Sequence, residues 1–260
     1  MNIQESIRAT KEEFEKSFFV SEFYNKQTQD EKHLQQIMEF LQIKKDMRIL
    51  DLGVGSGYMS FPIAKENVSC EITGLDIVGN TLKRNRERAE KENISNISFV
   101  CYDGIDFPFE DGSFDMVITR YALHHFPDIE HSISEVARVL KNNGYFFISD
   151  PCPNDCDYSR FVDEYMQLKK DGHIKFYTKK EWQDICKQHE MILSDSFVSK
   201  IRFPKKKDTA YGYEEVLAKH DKAIVESYDL DETDTEIYIT EQVNNIMFVK
   251  TDGKVSSTKS

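Results

Sequence analysis

Long apolar runs are missing from this sequence, because no hydrophobic stretch approaches the roughly 18 residues that a membrane-spanning helix needs. Cysteine is scarce, and the five cysteines among 260 residues follow neither a disulfide framework nor a zinc-site spacing. Basic residues number 34 against 46 acidic ones, so the concentrated basic face of a nucleic-acid groove is also missing. The N-terminus lacks the basic and apolar regions of a secretory signal. These absences predict a reduced, cytoplasmic protein without membrane, nucleic-acid or metal partners.

Apolar runs alternate with helical patterns from residue 47 to about residue 150. This alternation is typical of parallel strands in one sheet with helices on both faces. Beyond Pro151 the pattern is less regular, with two β-rich segments that bracket an insertion, in which the apolar residues from Tyr213 to Ile224 predict one amphipathic helix. Asp30 and Thr178 are predicted to cap the starts of two further helices. The sequence therefore predicts an α/β fold that is large enough to bury a substantial core. The predicted strands are 47–52, 71–77, 97–103, 114–119 and 145–150, and the later β-rich segments are 192–203 and 235–250.

Three parts are predicted along the chain. Residues 1–45 form an N-terminal helical cap, whose aromatic residues at helical spacing favour either core packing or a lid over a pocket. Residues 46–251 form the main domain, with the insertion at about 205–235, and the polar residues 252–260 form a disordered tail. The aromatic residues of the cap are Phe14, Phe18, Phe19, Phe23 and Tyr24.

The segment after the first predicted strand is rich in glycine. Gly53, Gly55 and Gly57 alternate with other residues, which removes the Cβ atoms that would hold a ligand away from the backbone. The helix that follows presents backbone N–H donors at its N-terminus. Ligands of open α/β sheets bind outside the carboxyl ends of the strands, and four of the five predicted strands end in an acid. The strand ends carry Asp51, Asp76, Asp103, Thr119-Arg120 and Asp150.

The position of Asp76 in the sequence indicates the class of ligand. It follows Gly57 by 19 residues, the distance from a glycine turn to the tip of the adjacent strand, where one carboxylate can bind both hydroxyls of a ribose. A dinucleotide fingerprint fails, because Tyr58 or Ser60 occupies the position of its last glycine. Asp51, before the glycines, suits a ligand that ends in an amino acid. The pattern favours a nucleoside cofactor with an amino-acid end.

Four segments, in this order and spacing, resemble class I S-adenosylmethionine (SAM)-dependent methyltransferases of the ubiquinone/menaquinone-biosynthesis-like branch (methyltransferase type 11). They are 49–57 (ILDLGVGSG), 107–115 (FPFEDGSFD), 122–128 (ALHHFPD) and 135–144 (EVARVLKNNG). The resemblance covers residues 47–151. It implies a Rossmann-like, seven-stranded, mostly parallel sheet whose last strand is antiparallel, so the two later β-rich segments become strands six and seven.

The resemblance also implies roles for particular residues. The methionine part of SAM would lie at Asp51, Gly53, Gly55 and Gly57, and Asp76 would bind the ribose. Ile77 would pack on the adenine, Asp103 would accept from the adenine amino group, and Gly104 would give a backbone contact. Arg120 opens the loop after the fourth strand, where the family contacts the cofactor. An arginine is unexpected opposite a sulfonium, so its side chain is expected to point away.

A catalytic base is needed only if the methyl acceptor must lose a proton. The candidates on loops beside the pocket are Tyr121, His124, His125, Asp150, Asp171 and His173. A structural role for the histidine pair is the competing interpretation, since neighbouring side chains usually diverge and the loop must turn into a helix capped by Asp128.

Two other functions compete with a small-molecule methyltransferase. A catalytically silent SAM-binding regulatory protein is the main alternative, and a nicotinamide dehydrogenase is disfavoured by Tyr58 and Ser60. The sequence leaves open whether carbon, oxygen or nitrogen is methylated, and it favours a quinol- or phenol-like or other partly apolar acceptor. The insertion is the candidate for either a homodimer contact or a lid.

Overall fold

The computed structural model describes residues 2–20, 30–169, 171–207 and 212–252, with the backbone alone for residues 17–20. The strands are β1 (Arg48–Leu52), β2 (Glu71–Asp76), β3 (Ile97–Cys101), β4 (Phe114–Arg120), β5 (Leu140–Cys152), β6 (Met191–Lys206), β7 (Asp231–Glu232) and β8 (Glu236–Lys250). The helices are α1 (Ile3–Val20), α2 (Glu31–Leu41), α3 (Ser60–Glu66), α4 (Gly79–Lys91), α5 (Ile129–Val139), α6 (Phe161–Gln167), α7 (Lys179–Gln188), α8 (Tyr213–Lys219) and α9 (Lys222–Glu226). A short 3₁₀ turn covers Leu123–His125.

The strands form one sheet in the order β3-β2-β1-β4-β5-β8-β6, with β7 beside β8. Strands β1 to β5 are parallel, and β8 runs antiparallel to both β5 and β6. The predicted α/β class, the parallel sheet and the antiparallel last strand are therefore confirmed. The predicted count of seven omitted β7, because a strand of two residues leaves no periodicity in the sequence.

Both faces of the sheet are buried, as expected for parallel strands covered by helices. Ile49 and Ile118 point to a core with α2 and α3, whereas Leu50 and Val117 point to a core with α5 and α7. This division follows from the strand geometry, in which successive side chains face opposite sides. The polar carboxyl ends of the strands are consequently left at one open edge.

The predicted helix starts agree with the structure. Asp30 accepts from the backbone N–H groups of Lys32 and His33, and Asp128 accepts from His131. Thr178 and Glu181 form a capping box. Each side-chain cap of this kind contributes about 1 kcal/mol, so local sequence contributes to the placement of these helices.

Within the insertion, the structure differs from the prediction in one respect. The sequence pattern predicts one helix from Tyr213 to Ile224, but the chain breaks at His220 into α8 and α9. Asp221 causes the break because its side chain accepts from Ala223 N and thereby starts the second helix. The predicted tail from 253 onward lies outside the described residues.

Two further findings concern the cysteines and the helices. All five cysteines are free thiols. In the described residues, no helix combines the length and the apolar character needed to cross a membrane.

Candidate functional site

A cleft of about 670 Å³, counting space open to solvent, lies at the carboxyl edge of β1, β2 and β4. Seven of the sequence-predicted site residues line it, together with three residues of α1. These are Gly53, Gly55, Asp76, Ile77, Gly104, Tyr121 and His125, with Ile7, Thr10 and Phe14 from the helix. The other predicted residues are not among those that line it.

The glycine turn is shaped by contacts that exclude a side chain. Gly53 N and Val54 N both donate to Leu75 O, at 2.8 and 3.1 Å, which ties the turn to β2. Gly53 has φ +69°, and a Cβ there would lie 2.5 Å from Ala122 Cβ. At Gly57, with φ +74°, a Cβ would lie 2.6 Å from the Phe61 ring. The turn therefore requires glycine both for its backbone conformation and for close packing.

Asp76 holds the same turn from the neighbouring strand. Its Oδ2 accepts from Gly55 N and its Oδ1 from Val78 N, both at 2.9 Å. Burial raises the pKa of this carboxyl group, and only 9% of the residue is exposed. A buried acid at the wall of a cleft, with further lone pairs available, suits a ligand that presents paired hydroxyl groups.

Asp51 lies behind the turn and does not line the cleft. Ser60 Oγ donates to its Oδ2 at 2.5 Å, and burial raises its pKa to about 7. A cationic ligand group nearby would favour the ionised carboxylate. Ser60 was missed by the sequence analysis, and so was Asn85, whose Nδ2 donates to Gly55 O at 2.8 Å. Neither residue has a recognisable sequence signal.

Asp103 and Gly104 occupy different environments despite being neighbours. Asp103 is exposed, and its Oδ1 accepts from the backbone N–H groups of Ile105 and Asp106 at 2.9 and 3.2 Å. Gly104, with φ +90°, lines the cleft, and a Cβ there would lie 3.0 Å from Ile7 Cγ2. Binding of adenine by Asp103 remains a prediction.

The Arg120 side chain lies against two aromatic rings. Its guanidinium carbon is 4.2 Å from the Tyr58 ring centroid and 3.9 Å from that of Tyr121. This cation–π stacking explains how an arginine fits at a position where the family resemblance led us to expect another residue. The Tyr121 hydroxyl is buried, and no hydrogen-bond partner for it occurs among the described residues.

The three predicted histidines converge in one buried cluster. The rings of His124 and His125 lie 4.2 Å apart, and those of His124 and His173 lie 5.4 Å apart. His124 Nδ1 lies 2.9 and 3.1 Å from the two Asp150 carboxyl oxygens, and His173 Nε2 lies 2.9 Å from Asp163 Oδ1. The adjacent pair therefore shares one polar region and does not diverge.

Burial keeps this cluster largely neutral. It lowers the pKa of His124 and of His125 to about 3, helped by the neighbouring histidines, and it raises the pKa of Asp150 to about 8. His125 Nδ1 is buried and has no hydrogen-bond partner in the described part of the chain. A neutral imidazole that lines the cleft is able to accept a hydrogen bond from a bound molecule, while its lowered pKa makes it a weak base.

Helix α1 covers the cleft. Thr10 packs against Gly172, where φ is +83° and a Cβ would lie only 2.2 Å from Thr10 Oγ1. The Phe14 ring meets the His125 ring edge-on at 5.1 Å. These contacts favour the lid interpretation for Phe14. The side chains of Phe18 and Phe19, and residues Phe23 and Tyr24, lie outside the described part.

The raised pKa of Asp150 predicts a pH-dependent stability. Because its folded pKa of about 8 exceeds an unfolded value near 4, the folded state binds the extra proton between those values. This contribution to the free energy of unfolding is fully present below about pH 4 and is lost as pH rises towards about 8. Relative to Asp150→Asn, the ligand-free wild type should lose on the order of 1 kcal/mol per pH unit between about pH 6 and pH 7.5.

Urea unfolding at several pH values checks this expectation. Asp155→Asn changes an exposed aspartate of the following loop and should track the wild type. Parallel pH profiles for wild type and Asp150→Asn would contradict the assignment of a buried, protonated carboxyl group.

Comparison with known proteins places this site in a family. A family model described as a methyltransferase domain matches residues 43–191. The uncharacterized methyltransferase YcgJ of Bacillus subtilis is 29% identical over 153 residues, which are 58% of this chain and 60% of that protein. A demethylmenaquinone methyltransferase of Listeria welshimeri is 28% identical over 144 residues, 55% of this chain and 61% of that protein. The matches thus span about three fifths of the length of these relatives.

Solved structures agree on the fold. The crystal structure of Bacillus subtilis YcgJ superposes with a TM-score of 0.73 at 22% identity, covering 86% of this chain and 100% of that one. At this level of identity the likeness establishes the shared fold.

Proposed function

Because this chain belongs to the family of class I methyltransferases that use SAM, we propose that it moves the SAM methyl group to a small-molecule acceptor. The observation that carries this proposal is the glycine turn at the cleft, tied to Asp76 and closed against Ala122. Bound SAM supplies an electrophilic methyl group on a sulfonium, which is already a good leaving group. The protein therefore needs to align the acceptor and exclude water.

The residues of the cleft fit SAM. Gly53 and Gly55 leave backbone surface open to the methionine part, and buried Asp51 behind them favours its ammonium group. Asp76 would accept from the ribose hydroxyl groups, because each of its oxygens already takes one N–H and retains a further lone pair. Ile77 and Gly104 line the part of the cleft next to Asp76, where the adenine would pack.

The acceptor would lie beside the histidine cluster. His125 lines the cleft, and its buried Nδ1 has no hydrogen-bond partner among the described residues, so we assign to it a hydrogen bond from the acceptor. His124 and Asp150 would hold the adjacent loop in place through their direct hydrogen bonds. Tyr121 and His173 remain proposed contacts of the acceptor.

Calorimetry with SAM and S-adenosylhomocysteine tests the cofactor. We expect both to bind, and the absence of binding to either at millimolar concentration would rule out the proposed function. NADH should not bind. His125→Ala should retain SAM binding while slowing formation of S-adenosylhomocysteine by about fivefold, because the acceptor loses one hydrogen bond of about 1 kcal/mol. An unchanged rate would exclude this contact between His125 and the acceptor.

A homodimer through residues 205–235 and a cytoplasmic location are also proposed. The five free thiols are consistent with a reducing compartment. Sedimentation of the purified protein checks the dimer, and a monomer at micromolar concentration would exclude it.

A further inference from the structure

One face of helix α1 forms part of the wall of the cleft. Ile7, Thr10 and Phe14 line the cleft, and their spacing places them on the same side of the helix. Ile7 lies at the end assigned to adenine, because a Cβ on Gly104 would lie 3.0 Å from Ile7 Cγ2. The Phe14 ring lies 5.1 Å from the His125 ring, at the end assigned to the acceptor. At about 1.5 Å per residue, α1 rises about 10 Å between these contacts, with Thr10 between them.

Thr10 is the polar residue among these three. It is 5% exposed, and its Oγ1 is buried without a hydrogen-bond partner among the described residues. Thr10 lies against Gly172, where φ is +83° and a Cβ would lie 2.2 Å from Thr10 Oγ1, so glycine is needed there to leave room for the hydroxyl group. A threonine hydroxyl in a helix usually bonds a backbone carbonyl of the preceding turn or faces water. A buried, unpaired one beside a cleft therefore indicates a ligand.

His125 presents a second unpaired atom to the same cleft. It is 7% exposed, and its Nδ1 has no partner in the described part of the chain. Burial and the neighbouring His124 lower the pKa of His125, whereas a hydrogen bond with the Gly172 backbone acts in the opposite direction. A backbone hydrogen bond raises a histidine pKa when a ring N–H donates to the carbonyl oxygen. Because Nδ1 is unpaired, Nε2 carries that N–H, which leaves Nδ1 with a lone pair that accepts.

The unpaired atoms of the cleft are uncharged. Thr10 and His125 both contact Gly172, one from α1 and the other from the loop after β4. Among the described residues that line the cleft there is no lysine or arginine, and the one carboxyl group, that of Asp76, already accepts two backbone N–H groups. Burying an ion without a charged partner is costly. The site between Thr10 and His125 therefore suits an uncharged polar group of a ligand.

On the basis of the methyl transfer proposed above, we propose that Thr10 is a specificity-determining residue, whose Oγ1 donates to a hydroxyl group of the acceptor while that hydroxyl donates to His125 Nδ1. A hydroxyl group has one donor and two acceptor lone pairs, so it satisfies both atoms at once. A carboxylate lacks the proton for His125, and an ammonium group lacks the lone pair for Thr10. No proton transfer is part of this contact, in keeping with the lowered pKa of His125.

This contact couples the acceptor to the lid. One hydroxyl group bridges Thr10 on α1 and His125 on the loop after β4, so it should hold α1 over the cleft and exclude water. Arg8 and Lys16 are exposed on α1, and trypsin cleaves there when the helix opens. With S-adenosylhomocysteine bound, phenol should slow this cleavage more than toluene does. Equal cleavage rates with the two compounds would overturn the coupling.

Thr10→Val tests the contact because valine keeps the shape of threonine and removes its hydroxyl group. The protein is loaded with S-adenosylhomocysteine, and NMR titration compares the binding of phenol with that of toluene, which has a similar shape but no hydroxyl group. Thr10→Val should bind phenol about fivefold more weakly than the wild type, the effect of one uncharged hydrogen bond, and toluene equally well. Thr10→Ser should restore the affinity for phenol. Benzoate and benzylamine should bind to the wild type more weakly than phenol does.

Gly172→Ala tests the same contact without changing Thr10. The added Cβ must displace Thr10 Oγ1, so the affinity for phenol should fall about as far as in Thr10→Val. Gly112→Ala is the matched control, because Gly112 also has a positive φ, +61°, and a Cβ there would meet no atom within 4 Å. It should bind phenol like the wild type.

The outcomes separate the hydroxyl contact from simple packing. Equal losses of phenol and toluene affinity in Thr10→Val would mean that Thr10 only packs, and would overturn the proposal. An unchanged affinity for phenol, or tighter binding of benzoate or benzylamine than of phenol, would overturn it as well. Failure of the wild type to bind SAM removes the methyl transfer itself, so the two failures are distinguishable.

Discussion

The Asp76→Ala variant is expected to bind SAM at least about 100-fold more weakly than the wild type, because two hydrogen bonds from ribose to a charged acceptor contribute about 1.5–3 kcal/mol each. The same change removes the acceptor of Gly55 N and of Val78 N, so the turn itself loosens. Titration calorimetry with SAM measures the affinity. A dissociation constant within threefold of the wild-type value would mean that the ribose lies elsewhere.

Two controls separate binding from folding. Asp155→Ala removes an exposed aspartate and should leave SAM binding unchanged. Asp76→Asn keeps one carbonyl oxygen for the turn but loses the charge, so its affinity should fall between those of the wild type and Asp76→Ala. Urea unfolding of all variants shows whether the protein is still folded under the binding conditions.

The Gly53→Ala variant is expected to lose about 3 kcal/mol of unfolding free energy, the second large effect. About 1–2 kcal/mol comes from a left-handed backbone with a Cβ, and a similar amount from overpacking against Ala122 Cβ at 2.5 Å. SAM binding should weaken as well, because the turn can no longer close against the loop after β4. Urea denaturation followed by circular dichroism measures the loss.

Gly112→Ala provides a matched control on the same chain. Gly112 also has a positive φ, +61°, but a Cβ there would meet no atom within 4 Å. Its alanine variant should lose only the backbone part, about 1–2 kcal/mol, and keep its SAM affinity. Equal losses for the two variants would show that the contact with Ala122 relaxes at little cost.

Much of the scaffold could be predicted from local sequence. Apolar runs, four of which end in an acid, predicted the five parallel strands, and the Asp30, Asp128 and Thr178 caps predicted three helix starts. These features depend on backbone geometry over a few residues, where strand alternation and capping act directly. The break at His220 was missed, since apolar spacing continued through it and outweighed Asp221.

Part of the candidate site was also predictable. The glycine turn and Asp76 follow one another along the chain, and the structure brings them together through a single hydrogen bond from Gly55. The pairing of His124 with Asp150 depends on β4 and β5 lying side by side. The sequence placed Asp76 and Asp150 at strand ends and His124 on a loop beside the pocket, but it could not show which of them touch.

The sequence by itself determined the family, the parallel sheet and the cofactor-binding edge, because a glycine turn and strand-end acids are local features that any parallel sheet gathers at one edge. Only the tertiary structure decided what lies opposite the cofactor. Thr10 of the lid helix and Tyr121 and His125 of the loop after β4 line the same cleft. Within the described part of the chain their polar atoms are buried without partners, and this depends on long-range packing, which leaves no periodic signal in the sequence.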